Sequence, residues 1–277
     1  MSNQIQMKNS IYISLFILIC FNSSAQSKKI EKQKIEIETE GKKLYRSEMA
    51  SWYGSDIFDE KFPEKKEIRG GYFSYTEGDV SKCVFFSKGD SPKAICTVSF
   101  DPSYNVKTAK VDSNERDLTS YELDLSILRN KTKNEVMSDT LFVRYKYTNL
   151  NIIPIIEKDS KKVYILTGPE HNGVMIFGND YLLTFDKNNN LLSKKRLHKN
   201  IISTEYKGSV SGIHTHLPST GEFITPTDIC TLMLYEKFAK WESYSVMSKD
   251  FISIWDCKTD SLNIMTMKAW EKMSETK

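Results

Sequence analysis

Short segments with alternating apolar and polar side chains, separated by turn residues, constrain the fold of this chain most. A two-residue period places successive side chains on opposite faces of a sheet, and clusters of Gly, Asn, Asp and Ser favour a chain reversal between strands. In the first half, the pattern predicts an antiparallel meander. Its strands cover 72–76, 82–87 and 93–100, joined by turns at 77–79 and 88–91.

The second half is denser in strand signals. Its segments are rich in β-branched and aromatic residues, which are typical of strands. Pro154 restricts one of them to the edge of a sheet or interrupts it, because proline cannot donate a ladder hydrogen bond. The predicted strands cover 141–148, 152–156, 162–167, 174–177, 181–186, 191–197, 210–216, 243–247 and 251–257.

Helical spacing of apolar residues is clearest over 227–240, where they recur every three to four positions. Shorter stretches of this kind predict helices over 44–52 and 118–128. Residues 26–43 are dense in charge and are predicted to be a solvated lead-in, with KIEIET as a short edge strand. A last strand or helix is expected over 262–270.

These elements predict a mixed α/β (α+β) protein with mostly antiparallel sheets. The 277 residues suffice for one large domain or two of ordinary size. A soft boundary near Asp139 separates a β-rich N-terminal region, 26–139, from a C-terminal domain, 140–277.

Composition and charge exclude one functional class. Hydrophobic residues make up 39% of the chain, enough to form a packed core. Lys and Arg number 39 against 36 Asp and Glu, so the net charge is only +3. A general nucleic-acid binder needs a strong positive field, and we therefore expect no nucleic-acid partner.

The first 25 residues have the features of a signal peptide: Lys8, an apolar run over 11–21, and small residues over 23–25. A helix of eleven residues covers roughly half of a bilayer core, so no stable membrane span is expected in the mature chain. The predicted location is secreted or periplasmic. Lipid attachment at Cys20 is disfavoured because the preceding Ile19 is bulky where such signals need a small residue.

The mature chain keeps four cysteines, Cys83, Cys96, Cys230 and Cys257. In a symmetric hairpin around residues 88–91, Cys83 and Cys96 would lie opposite one another, within reach of a disulfide. Two buried free thiols are the alternative.

The candidate chemistry lies in a histidine pair and an aspartate. His214 and His216 are two apart on a predicted strand, so both imidazoles project from the same face. Twelve residues later, Thr225, Pro226 and Asp228 occupy the N-cap, N1 and N3 positions of the predicted helix. Two imidazoles and one carboxylate can bind zinc and leave its fourth position to water, the open arrangement of catalytic sites.

The run HTHLPSTGEFITPTDI resembles the metal-binding signature of the JAMM (MPN) metalloproteases, His-x-His-Pro, six residues, Ser-x-x-Asp. Upstream, Glu170 and the strand after it resemble the Glu-x-x-Gly segment of that family. The resemblance covers about a third of the chain. It departs from the family pattern at Leu217, inserted before the proline, and at Thr225, which replaces the serine.

The resemblance implies a JAMM-like C-terminal domain, with one main helix after the His-x-His strand. His214, His216 and Asp228 would bind zinc, Glu170 would be the general base, and Thr225 would stabilise the oxyanion. The implied activity is that of an exported zinc-dependent hydrolase, which cleaves peptide or isopeptide amide bonds in a peptide or protein substrate.

Simpler interpretations stay open at each position. The histidine pair could be an exposed strand pair without a ligand, Asp228 an N3 residue that favours the helix dipole, and Glu170 an ordinary loop carboxylate. His171 and His198 are interpreted as structural or surface residues. The alternative function is a non-catalytic secreted or envelope binding module.

Overall fold

The computed structural model describes residues 2–158, 160–205 and 210–275, with side chains from Ser27 onward. The fold is mixed α+β, as predicted. The helices are α1 (Ser2–Lys61), α2 (Ser120–Ser138), α3 (Pro226–Ala239) and α4 (Met267–Glu275), and a 3-10 turn covers Pro63–Lys66. The strands are β1 (Arg69–Glu77), β2 (Val80–Ser87), β3 (Lys93–Phe100), β4 (Lys110–Asp112), β5 (Arg116–Asp117), β6 (Thr148–Glu157), β7 (Ser160–Pro169), β8 (Val174–Gly178), β9 (Tyr181–Phe185), β10 (Leu191–Arg196), β11 (Ile201–Glu205), β12 (Ser211–Thr215), β13 (Ser243–Met247), β14 (Phe251–Asp256) and β15 (Ser261–Thr266).

These strands form four sheets. The N-terminal sheet has the order β1-β2-β3-β4, with β5 also on β3; the others are β10-β9-β7-β6, β11-β8 and β12-β13-β14-β15. All of the described pairings are antiparallel except β12 with β13. The mostly antiparallel arrangement agrees with the turn-punctuated pattern. β6 is an edge strand, as Pro154 predicts, and residues 261–275 form a strand followed by a helix.

The lead-in and edge strand predicted over 26–43 are wrong, because this segment belongs to α1. Its buried side is made largely of small or polar residues, so the alternating isoleucines of KIEIET resemble a strand. Ile35 is 56% exposed, whereas Ile37 packs against the core beside α3. The buried positions recur at helical spacing: Glu40, Gly41, Leu44, Ser47, Ala50, Ser51, Gly54, Ile57 and Phe58.

Helix α1 joins the N-terminal sheet to the C-terminal elements. Ala50, Ile57 and Phe58 lie in one core with the β2 and β3 side chains. Leu44 lies in another, with Tyr164 of β7 and residues of α3. The predicted leader, residues 1–25, lies outside the residues whose side chains are described. In the part of the chain that is described, no helix is both long enough and apolar enough to cross a membrane.

The strand predicted over 141–148 is also wrong: these residues are irregular, and β6 begins at Thr148. Side chains rather than a neighbouring strand hydrogen-bond this backbone. The Val143 N–H donates to the Tyr181 hydroxyl, and its carbonyl accepts from the Asn179 amide. Tyr147 has φ of 62°, a left-handed conformation that ends any extended run before β6.

The symmetric hairpin that would place Cys83 opposite Cys96 is not formed. An irregularity after Phe85 shifts the register, so that Cys83 lies opposite Val98 and Cys96 opposite Phe85. All four described cysteines are free thiols. Burial raises the pKa of Cys83 to about 12 and that of Cys96 to about 11, which keeps both as thiols.

The elements that place the candidate site are β12, α3 and β13. They form a strand–helix–strand crossover in which β12 and β13 are parallel neighbours. The N-terminus of α3 therefore returns to the carboxyl end of β12, the end at which open α/β arrangements bind ligands. His214 and His216 lie at that end of the strand.

Candidate metal centre

The histidine pair is oriented inward by β12. His214 and His216 are each 6% exposed, whereas Ile213 is 58% exposed, as a two-residue period requires. The backbone N–H of His216 donates to the carbonyl of Met247 at 2.7 Å, which extends the pairing with β13 beyond the last strand residue. The prediction that both imidazoles share one face is confirmed: their Nε2 atoms are 3.1 Å apart.

Asp228 is held by a capping box at the start of α3. The Thr225 hydroxyl accepts a hydrogen bond from the backbone N–H of Asp228 at 3.2 Å, and Asp228 Oδ2 accepts from the backbone N–H of Thr225 at 2.9 Å. Pro226 occupies the first helical position. This local sequence aims the Asp228 carboxylate back toward β12, where its Oδ2 lies 3.3 Å from His216 Nε2.

His198, interpreted from sequence as a structural or surface residue, completes the cluster. It lies between β10 and β11 and is 8% exposed, and its Nε2 is 3.0 Å from His216 Nε2. Gly178 permits this approach: its φ is +84°, and a Cβ there would lie 2.2 Å from the Asn200 carbonyl oxygen and 3.3 Å from His198 Cβ. His198 and His214 are sixteen positions apart, with β11 between them, so no local spacing signals the contact.

The four side chains therefore converge on one point. The possible ligand atoms of His198, His214, His216 and Asp228 all lie within 4.8 Å of one another. Tetrahedral zinc with bonds of about 2.0–2.1 Å places its ligand atoms roughly 3.3–3.4 Å apart. The shortest contacts between the converging atoms, 3.0 to 3.8 Å, bracket that separation.

Each imidazole also has a partner on its outer nitrogen. His198 Nδ1 lies 2.7 Å from an oxygen of Asp180, His216 Nδ1 lies 2.9 Å from the Phe223 carbonyl, and His214 Nδ1 lies 3.1 Å from the Tyr244 hydroxyl. Thr227 hydrogen-bonds the other oxygen of Asp180. Partners of this kind fix the tautomer and ring orientation of metal-binding histidines.

The tautomers of His198 and His216 place nitrogen lone pairs toward the centre of the cluster, where a cation would be stabilised. A carboxylate and a carbonyl only accept, so Nδ1 of His198 and of His216 must carry hydrogen, and in the neutral rings both Nε2 atoms then present lone pairs. Two lone pairs face each other at 3.0 Å. A proton or a metal ion between them is needed to remove the repulsion.

The close contacts in the cluster shift the pKa values of its members. Burial disfavours protonated His198, but Asp228 and Asp180 outweigh it and raise its pKa to about 9. Burial lowers the pKa of His214 to about 4. Burial also disfavours the Asp228 carboxylate, yet the neighbouring imidazoles, His198 foremost, hold its pKa well below the usual range.

Asp228 Oδ1 is buried and accepts no hydrogen bond from the described residues. It lies 3.8 Å from His214 Nε2. A buried carboxylate oxygen normally has a partner, since leaving it unsatisfied costs about 1–3 kcal/mol or more. The donor set and this oxygen fit a bound metal ion, and the buried cluster could hold one.

The site is closed on the protein side. All four ligand residues are buried. The adjoining cavity, beside Asp180, Thr227 and Asp228, has a volume of about 10 Å³, about the minimum for one water molecule. This cavity is too small to hold a peptide.

The structure does not bring Glu170 to the cluster. Glu170 follows β7 and donates its backbone N–H to the Tyr147 carbonyl, and its side chain lines a groove with His171 and Trp52. The cluster lies beside Gly178, at the far end of β8, and a five-residue strand spans roughly 15 Å. Thr225 does adjoin the cluster, but its hydroxyl hydrogen-bonds the Asp228 carboxylate at 2.7 Å.

Comparison of the chain with protein-family models, with curated proteins and with solved structures finds no match.

Proposed function

We propose that this protein binds one zinc ion through His198, His214, His216 and Asp228, in a closed site that holds the C-terminal elements together. The observation that carries the proposal is the convergence of four buried ligand side chains. Each histidine contacts a polar partner through its Nδ1, and the Asp228 carboxylate accepts a hydrogen bond from the Thr225 N–H. Three imidazoles and one carboxylate favour a borderline cation such as zinc over magnesium or calcium, which prefer oxygen ligands.

A structural role is supported by what the ligands connect. His198 comes from the β10–β11 connection, the histidine pair from β12, and Asp228 from α3, three segments that lie 12 to 16 residues apart in the chain. Structural zinc sites have four protein ligands, whereas catalytic sites keep a position for water. In this arrangement His198 takes the fourth position. A closed zinc site of this kind is compatible with the alternative function, a non-catalytic secreted or envelope binding module.

Hydrolysis of a peptide or isopeptide bond by an exported zinc enzyme is the second candidate. It is favoured by the His-x-His strand and by the capped Asp228 with Thr225 beside its carboxylate, which resemble the JAMM pattern apart from the inserted Leu217 and the replacement of its serine by Thr225. Bound zinc would supply polarisation of a water or carbonyl oxygen. For this candidate, His198 must leave the fourth position, and Glu170 or another base must reach the site.

Metal analysis of the purified full chain tests the zinc proposal. We expect about one zinc per chain, retained by His171→Ala, a matched control because His171 lies outside the cluster, and lost in the double variant His214→Ala/His216→Ala. Absence of zinc from all three, even after zinc is offered at neutral pH, would overturn the proposal.

The variant His198→Ala separates the two functions. If His198 is a ligand of a closed site, its loss should weaken zinc binding at least 10- to 100-fold, and the visible spectrum of the cobalt-substituted protein should change. If the fourth position belongs to water, His198→Ala should keep its zinc with unchanged affinity and gain or retain peptidase activity. The second result would favour the hydrolase.

A further inference from the structure

A second site lies away from the metal cluster, in an open groove of about 700 Å³. One wall is a face of α1, where Glu48, Trp52 and Asp56 recur at helical spacing. Residues of α3 form another wall, and the ends of β6 and β7 complete it. The volume lies in the range of ligand-binding pockets. None of the four proposed zinc ligands lines this groove.

The groove combines exposed aromatic rings with carboxylates. The ring centre of Trp52 is 6.0 Å from that of Tyr235 and 6.4 Å from that of Phe238. Trp52 is 38% exposed and Phe238 is 55% exposed. Large aromatic side chains left accessible in a concave surface are typical of recognition sites, because they offer contact area at low entropic cost.

The charges of the groove are one-sided. Glu48, Asp56 and Glu170 line it, and none of the described lysines or arginines does, although the chain as a whole is positive. Arg129 acts on Glu48 from outside the lining, where its guanidinium stacks 4.3 Å from the Tyr72 ring centre. Carboxylates beside aromatic faces are complementary to an organic cation.

Glu48 is the central group of this arrangement. Its Oε2 accepts a hydrogen bond from the Asn151 side chain at 3.0 Å, and the carboxyl group lies at the wall of the groove. Burial raises its pKa to about 7, despite Asn151 and Arg129. A cation in the groove would offset the cost of keeping this carboxylate charged where it is buried.

We propose that this groove binds a lysine or arginine side chain of a peptide, with the cationic group at Glu48 and the alkyl stem against Trp52. The groove exceeds the volume of one side chain, so that neighbouring peptide backbone also enters. Asn149 and Asn151 stand at the wall with amide groups that can both donate to and accept from a peptide backbone.

Calorimetric titration of the purified full chain tests this assignment with two probes, acetyl-Gly-Lys-Gly-amide and the norleucine analogue, which has the same stem length without the charge. We expect the lysine peptide to bind about three- to thirtyfold more tightly. Glu48→Gln should abolish that preference, and Trp52→Leu should weaken binding of both peptides. Glu60→Gln, an exposed carboxylate on the same helix outside the groove, should leave both affinities unchanged.

Equal affinities of the two peptides for the unaltered protein would overturn the proposal. Absence of detectable binding of the lysine peptide at a concentration of about 10 mM would also overturn it. A lysine preference that survives Glu48→Gln would equally overturn the assignment of the cation to this groove. The thermal transition of each variant, measured in parallel, separates a binding defect from unfolding. Zinc content serves as a second control, because the groove variants should keep the metal.

Discussion

At the scale of single residues, the most completely partnered carboxylate outside the metal cluster is Glu122. It is 1% exposed and accepts two hydrogen bonds of 2.7 Å from Arg116, one of 2.9 Å from the Thr119 N–H and one of 3.0 Å from the Tyr75 hydroxyl. Burial disfavours the charge, but Arg116 and then Thr119 outweigh it and lower the pKa of Glu122 to about 2.

Replacement of this carboxylate should cost stability in a pH-dependent way. Because its folded-state pKa lies below the unfolded value near 4.5, the contribution of Glu122 is present above that pH and is lost as the pH falls toward 2. We expect Glu122→Gln to lower the free energy of unfolding by about 2–3 kcal/mol at pH 7 and by little near pH 2, measured by urea denaturation.

Glu115→Gln is the matched control for this prediction. Glu115 is exposed and pairs with Lys93 at the surface, 3.1 Å away, where such pairs contribute about 0–1 kcal/mol. Equal losses for the two variants, or a Glu122→Gln loss that does not depend on pH, would contradict the role of the buried network.

At the scale of elements, the contact between α1 and α3 depends on a glycine. A Cβ at Gly41 would lie 2.7 Å from Ile229 Cβ and 3.1 Å from the Pro226 carbonyl oxygen. The two helices approach closely here, and α3 bears Asp228 one position before Ile229. The helix that carries a metal ligand therefore rests directly on α1.

A double-mutant cycle tests this contact. Gly41→Ala improves helix propensity by up to about 1 kcal/mol, but the overlap with Ile229 should reverse the sign and destabilise the protein by about 1–3 kcal/mol. Ile229→Gly, which removes the Cβ and Cγ2 atoms that the new methyl group would meet, should by itself destabilise the protein by about 3–6 kcal/mol, from the lost core side chain and the lower helix propensity of glycine. In the double variant the overlap with residue 229 is relieved, so the two losses should be less than additive by about 1 kcal/mol or more. Additive losses would mean that the helices do not meet at Gly41.

At the scale of the whole molecule, the proposed zinc ion links three elements, the β10–β11 connection, β12 and the first turn of α3. A ligand that binds only the folded state at a thousand times its Kd stabilises it by about 4 kcal/mol. For a protein of this size, that corresponds to roughly 8–16 °C in Tm. Removal of the metal by a strong chelator should lower Tm by about this amount.

The loss should also be regional. After chelation, hydrogen exchange should accelerate in β12, in the first turn of α3 and around His198, while amides of β1, β2 and β3 keep their protection, because α1 and not the metal connects them to the site. An equal acceleration in every sheet would indicate that the ion acts on global stability alone. Unchanged exchange throughout would contradict the structural role.

Most strands were predictable because their signals are local. The segments predicted as strands over 82–87 and 93–100 form β2 and β3, and the segment predicted as a helix over 227–240 forms α3. Errors arose where tertiary contacts override local pattern. KIEIET alternates like a strand, but it belongs to helix α1. Small residues of that helix, such as Gly41 and Gly54, pack closely against Ile229 and Cys83, and these contacts are made by residues distant in sequence.

The sequence by itself determined the part of the site that is local. Two imidazoles on one strand face follow from the pleat, and the inward aim of Asp228 follows from the capping box at Thr225. Only the tertiary structure decided the rest. It brings His198 to the cluster, because Gly178 lets two distant segments approach, and it places Glu170 at the opposite end of β8, in the aromatic groove. Short-range periodicity encodes which way a side chain points, whereas the meeting of distant side chains depends on the packing of whole elements.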